Sequence, residues 1–130
     1  MRTIFVNLPV KNIEISKAFF TALGFSFNPE YSDERTLCMI VEKNIFVMLL
    51  QEERFRDFIN GEIADAKSST EVLTCLSASS RQEIDSMLKT ALSSGGREWK
   101  PVQDHGFMYA ASFQDPDGHV WELVYMTEQA

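Results

Sequence analysis

The spacing of apolar positions along this chain switches period several times, and each switch marks an element. Ile84, Met87, Leu88, Ala91 and Leu92 recur at i, i+3, i+4, i+7 and i+8, the stripe of an amphipathic helix. Ser80-Arg81-Gln82-Glu83 before it reads as a capping box, in which hydroxyl and carboxylate each satisfy an orphan backbone N–H. Gly95-Gly96 after it suits a left-handed close. An earlier helix is predicted from about Ile13 to Leu23, capped by Asn12 and ended by Gly24, with Ile15, Phe19 and Leu23 facing inward. Strand-like runs surround both helices. TIFVNLPV (3–10) precedes the first, and FSFNPEY (25–31), RTLCMIV (35–41) and NIFVMLL (44–50) follow it. EVLTCLSA (71–78) precedes the second, and REWKPV (97–102), MYAASF (108–113) and HVWELVYM (119–126) follow it.

The order is βαβββ, a linker, and βαβββ again, an internal repeat in which residues as well as elements align. Leu8 of the first module matches Leu76 of the second, each a few residues before its helix. Between modules 1–50 and 70–130, the stretch 51–69 opens with a short helical turn (Phe55, Phe58, Ile59) and becomes polar. Two half-cores that each leave one sheet face uncovered are expected to join in one α+β domain. That domain is an open, barrel-like curved sheet around a cavity, with the helices outside.

Composition narrows the class. A length of 130 residues, 45% hydrophobic and 24% charged, suits one ordinary globular domain. A net charge of −7 argues against nucleic acid as a partner. The longest apolar run, IFVMLL, is far short of a membrane span, and the N-terminus lacks the apolar stretch of a signal peptide, so a cytoplasmic location is expected. Cys38 and Cys75 lie in strand-like runs with no CxxC pattern and read as reduced, buried thiols.

Within FQDPDGHVWELVYM (113–126) one acidic residue, Glu122, stands among large apolar neighbours. Asp115-Pro116-Asp117-Gly118 suits a type I turn with Gly in the left-handed bulge position. Counting back from that turn sets Asp115 opposite His119, Ser112 across from Glu122, and Phe113 across from Trp121 on the helix-facing side with Leu123. His119 and Glu122 are an odd number of residues apart, which on a strand sends them to opposite faces. His105, in the loop QDHGF, is placed to reach a cavity mouth.

LPVKNIEISKAFFTALGF near the start and FQDPDGHVWEL near the end closely resemble the vicinal oxygen chelate superfamily. It includes glyoxalase I, extradiol dioxygenases, fosfomycin-resistance enzymes and bleomycin-resistance proteins. The similarity runs over 3–126. It implies paired βαβββ modules, usually in a homodimer, around a cavity that binds a small molecule. In the superfamily's enzymes, His and Glu residues on the first and last strands of each module hold a divalent metal. Carried over from the glyoxalase I pattern, those positions are Phe5, Met48, Leu73 and Glu122. Phe5 lies three before Leu8 and Leu73 three before Leu76, so the repeat supports the placement. Only Glu122 is a donor for such a cation. No cofactor and no divalent metal are therefore expected.

On this reading Glu122 faces a pocket lined by Phe5, Met48 and Leu73, with Asn7 and Cys75 on the matching strand faces and Ser112 and His105 nearby. There it accepts hydrogen bonds from a ligand, or acts as catalytic base in metal-free proton transfer. Three functions compete. One is a metal-independent small-molecule binding protein of the bleomycin-resistance kind. The second is a lactoylglutathione-lyase-like or other metal-dependent enzyme. The third is a non-catalytic dimerisation module with a filled cavity. The linker permits a barrel built within one chain or by exchange between subunits.

Overall fold

Asn12 opens the first helix in the computed structural model, which describes residues 1–127. Its side chain accepts the Ile15 N–H at 3.0 Å, one of the orphan donors of a helix start, and α1 runs Ile13–Ala22. The buried face is Ile13, Ser16, Phe19 and Phe20. Ile15, predicted inward, is 54% exposed, whereas Ser16 is 1% exposed. Burying Ser16 with Ile13 and Phe20 fixes an i, i+3, i+7 row, and at 3.6 residues per turn Ile15 falls outside it.

Four strands complete this unit: β1 (Ile4–Val10), β2 (Ser26–Phe27), β3 (Thr36–Glu42) and β4 (Ile45–Gln51). They lie in the order β1-β4-β3-β2, with β1 parallel to β4 and the other pairs antiparallel. Leu8, Leu49 and Leu37 form one buried row across three of them, on the side that packs against α1. The run 25–31, expected as one strand, pairs in the sheet only at Ser26 and Phe27. Pro29 has no N–H for a ladder, and Pro29–Tyr31 instead forms a 3-10 turn capped by Asn28, whose side chain accepts the Glu30 N–H at 2.9 Å. A short helix, α2 (Glu52–Arg56), follows β4.

The chain divides between Asp65 and Ala66, inside the polar stretch 51–69. In the second unit α3 spans Arg81–Ser93, and the Ser80 hydroxyl accepts the Glu83 N–H at 3.0 Å. The Glu83 carboxylate reaches one residue further back than a capping box requires, accepting from the Ser79 N–H at 2.7 Å and its hydroxyl at 3.1 Å. The helix closes with the Gly96 N–H on the Ala91 carbonyl at 2.8 Å, a Schellman bond. Ile84 and Ala91 are buried, but Leu92, predicted as part of the inner stripe, is exposed.

The second sheet holds β5 (Leu73–Ser77), β6 (Arg97–Glu98), β7 (Gln103–Asp104), β8 (Met108–Gln114) and β9 (Val120–Met126). Its order is β5-β9-β8-β6, with β7 also paired to β8. Here too a predicted strand is broken. Of 97–102 only Arg97 and Glu98 pair, residues 99–102 leave the sheet, and the chain rejoins it at Gln103. Pro101 sits in the excursion, where it owes the ladder no donor. Trp121, Phe113, Leu123 and Ala111 are buried on the helix-facing side, the main apolar contribution of this unit. The first unit is βαβββ in order, the second is the same with the strand after its helix split in two, and the fold class is α+β. Among the described residues no helix is long and apolar enough to cross a membrane.

Candidate functional site

The β8–β9 hairpin positions the site, and its turn is held unusually firmly. Asp115 N–H donates to the His119 carbonyl at 2.9 Å, Gly118 N–H donates to the Asp115 carbonyl at 2.9 Å, and Gly118 has φ +92°. The Asp115 carboxylate, 2% exposed, accepts from the Asp117 N–H at 2.9 Å, the His119 N–H at 3.0 Å and the Trp121 indole N–H at 3.0 Å. Burial pushes this carboxyl's pKa up, against the pull of His119 and the indole donor.

The register that follows is the one counted from the sequence: Ser112 faces Glu122 and Phe113 faces Trp121. On the other side of β9, Cys75 of β5 pairs with Glu122. Cys75, Glu122 and Ser112 therefore form a row across three strands, on the face opposite Trp121 and Phe113. The first unit repeats the row as Asn7, Met48 and Cys38, so the acidic position of one module is a thioether in the other.

Glu122 is half-buried, and no described residue hydrogen-bonds its carboxylate. It lines a groove of about 260 Å³ with Cys75, Lys100, Pro101, Gln103, Met108 and Val124 among its neighbours. Ser112 also lines the groove, but its hydroxyl is engaged: it accepts the Lys100 N–H at 3.1 Å and is 6% exposed. Cys75, predicted buried, is exposed, while Cys38 is buried as predicted, and both are free thiols. The surroundings of the Cys75 thiol nevertheless strip enough water to push its pKa up, and the Glu122 charge pushes the same way. Glu122→Gln is accordingly expected to lower the Cys75 pKa and speed its alkylation by iodoacetamide near pH 8, read by mass spectrometry. An unchanged pH–rate profile would mean that the two side chains do not sense each other.

The remaining predicted residues lie elsewhere. Leu73 shares the groove face but is 50% exposed, one row along, opposite Val120. His105 is exposed, its Nε2 3.2 Å from the Gln103 side-chain oxygen, and it does not line the groove. Phe5, Asn7 and Met48 belong to the first unit. Phe5 stacks on Phe46 (centroids 5.2 Å apart, 14° between planes), and the Asn7 amide donates to the Phe5 carbonyl at 3.4 Å. Lys100, Pro101, Gln103 and Met108 were not anticipated. Alternation back from Ser112 points to Ala110 and Met108, but Lys100 and Pro101 reach the groove only because the chain leaves the sheet there.

The donor set does not fit a divalent metal. Phe5 and Leu73 offer hydrocarbon, Met48 a soft thioether, and Glu122 the single oxygen donor among the four positions. Among the described residues no three His, Cys, Asp or Glu side chains gather so as to hold an ion.

The sequence profile of the glyoxalase/bleomycin resistance protein/dioxygenase superfamily matches residues 3–123. The chain belongs to this superfamily. Solved structures agree on the fold, each at an identity that carries the fold alone. Against the S. aureus protein SA1046 the TM-score is 0.81 at 22% identity, covering 96% of this chain and 94% of that one. A glyoxalase/bleomycin resistance protein/dioxygenase family enzyme from Burkholderia phytofirmans PsJN gives 0.78 at 14% identity, covering 97% and 99%. The fosfomycin resistance protein FosX of Listeria monocytogenes gives 0.70 at 15%, covering 98% and 94%. The comparison with curated proteins returned no match. As a member of this superfamily, the chain is built of two modules, each a strand, a helix and further strands.

Proposed function

We propose that this member of the superfamily binds a small organic molecule without a metal, in the groove that Glu122 lines. The observation that carries the reading is the half-buried carboxylate of Glu122, which no described residue hydrogen-bonds, in a groove whose lining mixes apolar side chains with a few polar ones. An amine, hydroxyl or amide of the ligand supplies the missing donor, and a charge-assisted hydrogen bond of this kind is stronger than a neutral one. Met108, Ala110, Val124 and Pro101 offer surface for an apolar body, and the Gln103 amide offers a second polar contact. Lys100 also lines the groove, so its walls carry one cation beside the one carboxylate, and the ligand is recognised by the donor it gives Glu122. Assembly as a homodimer and residence in the cytoplasm belong to the same proposal. A fosfomycin resistance protein shares the fold, and sequestration or modification of a small molecule is the kind of task the reading assigns here.

A thermal-shift screen of aromatic amines, phenols and amides tests it, because a ligand that binds only the folded chain raises the melting temperature. At least one class is expected to raise it, with the shift lost in Glu122→Gln and unchanged by EDTA. A shift that survives in Glu122→Gln, or the absence of a shift with every class, overturns the assignment of the groove. Loss of the shift on chelation overturns metal independence, and turnover of a hemithioacetal dependent on added nickel or zinc would restore the lyase reading.

A further inference from the structure

One wall of the groove is irregular backbone, and one of the two side chains that hold it in place lies outside the groove. Residues 99–102 leave the sheet after Glu98 and return at Gln103. Ser112 points onto the groove face and its hydroxyl accepts the Lys100 N–H at 3.1 Å, so the excursion lies over that face beside Glu122. This is one anchor. The other is on the opposite side of the sheet. β7 is only two residues long, and alternation puts Gln103 toward the groove and Asp104 toward α3. There Arg81, in the first turn of α3, grips it with both arms of its guanidinium. One nitrogen lies 2.6 Å from the Asp104 carboxylate and the other donates to the Gly106 carbonyl at 2.8 Å. Asp104 in turn accepts the Gly106 N–H at 2.9 Å, and the guanidinium lies over the Tyr109 ring, 4.9 Å from its centroid. Tyr109 is fixed by its own hydroxyl, which donates to Asp85 at 2.5 Å.

We propose that Arg81 is a positioning residue for the groove: by clasping Asp104 and the Gly106 carbonyl from the helix side, it sets where the 99–103 wall stands relative to Glu122. The short β7 ladder and the His105 N–H on the Met108 carbonyl at 2.8 Å hold the segment by backbone, and a two-armed guanidinium adds the geometric definition that a single point charge lacks. The ligand-binding reading gives this clasp its consequence, which is that Arg81 controls access to and fit within the groove without touching the occupant.

The test reads the wall directly, in the full chain with no ligand, so its outcome is independent of whether the groove binds anything. Arg81→Ala is expected to speed hydrogen exchange over 99–107 by roughly two- to fivefold, the opening an exposed pair of this kind suppresses. Asp104→Ala should give an increase of its own, since it also releases the Gly106 N–H, and the double variant should fall well short of the two single effects combined. Arg81→Lys, which keeps the charge but not the second arm, should restore only part of the protection. The proposal is overturned by unchanged rates in Arg81→Ala, by additive effects in the double variant, or by loosening spread equally over α3 and β8. If exchange responds as stated and no compound class binds, the clasp stands and the binding reading falls.

Discussion

Replacing Gly118 with alanine is expected to cost roughly 2–4 kcal/mol of stability, the sum of a strained backbone and a collision. Gly118 has φ +92°, a region that a side chain enters at a penalty. A Cβ there would also stand 3.0 Å from the Lys67 backbone nitrogen and 3.1 Å from the Ala66 carbonyl carbon, and backbone does not swing aside as a flexible side chain does. Gly61 is the internal control. It has φ +85° but nothing within 4 Å of an added Cβ, so Gly61→Ala should carry the conformational penalty alone. Urea unfolding followed by tryptophan fluorescence gives both values. Equal losses in the two variants would show that the 66–67 backbone yields freely and that crowding at the turn contributes nothing.

The second large effect is expected at Asp115. Its Oδ1 accepts the Asp117 and His119 N–H groups and its Oδ2 accepts the Trp121 indole N–H. In Asp115→Asn one oxygen can still serve the two backbone donors, but the amide NH2 then meets the indole N–H, donor against donor, in a buried site. Leaving such a group unsatisfied is expected to cost about 2–3 kcal/mol. Removing the indole donor should remove most of the penalty, so in a Trp121→Phe background the Asp115→Asn loss should shrink sharply. A cost that is the same in both backgrounds would assign the role of Asp115 to the turn alone, with no part for the indole.

The same turn explains how much was legible beforehand. Asp-Pro-Asp-Gly specifies its own geometry through local chemistry, so the register of β8 on β9, and with it the Ser112–Glu122 pair, follows from counting, whereas the pairing of Cys75 with Glu122 across the parallel strands does not. Both helix starts were legible for the same reason, since Asn12 and Ser80 cap within their own first turn. What depended on distant partners was not. Ile15 reads as a core residue by composition, and only packing against the sheet reveals that Ser16 takes that place. The runs 25–31 and 97–102 have strand-like side chains, yet Pro29 and Pro101 interrupt them, and proline was the signal available for both breaks. Lys100 and Pro101 enter the groove through the second of these interruptions, and Ser112 is occupied by the backbone that results. The clasp of Arg81 on Asp104 joins residues 23 apart in sequence, with no local pattern to announce it.

Side chains on a strand alternate between its faces, so the length of the 115–118 connection governs the chemistry of everything beyond it. One residue inserted there would exchange the two sides of β9, sending the acid under α3 and turning the indole out into the groove. Natural variants of this hairpin should therefore keep the length of the connection.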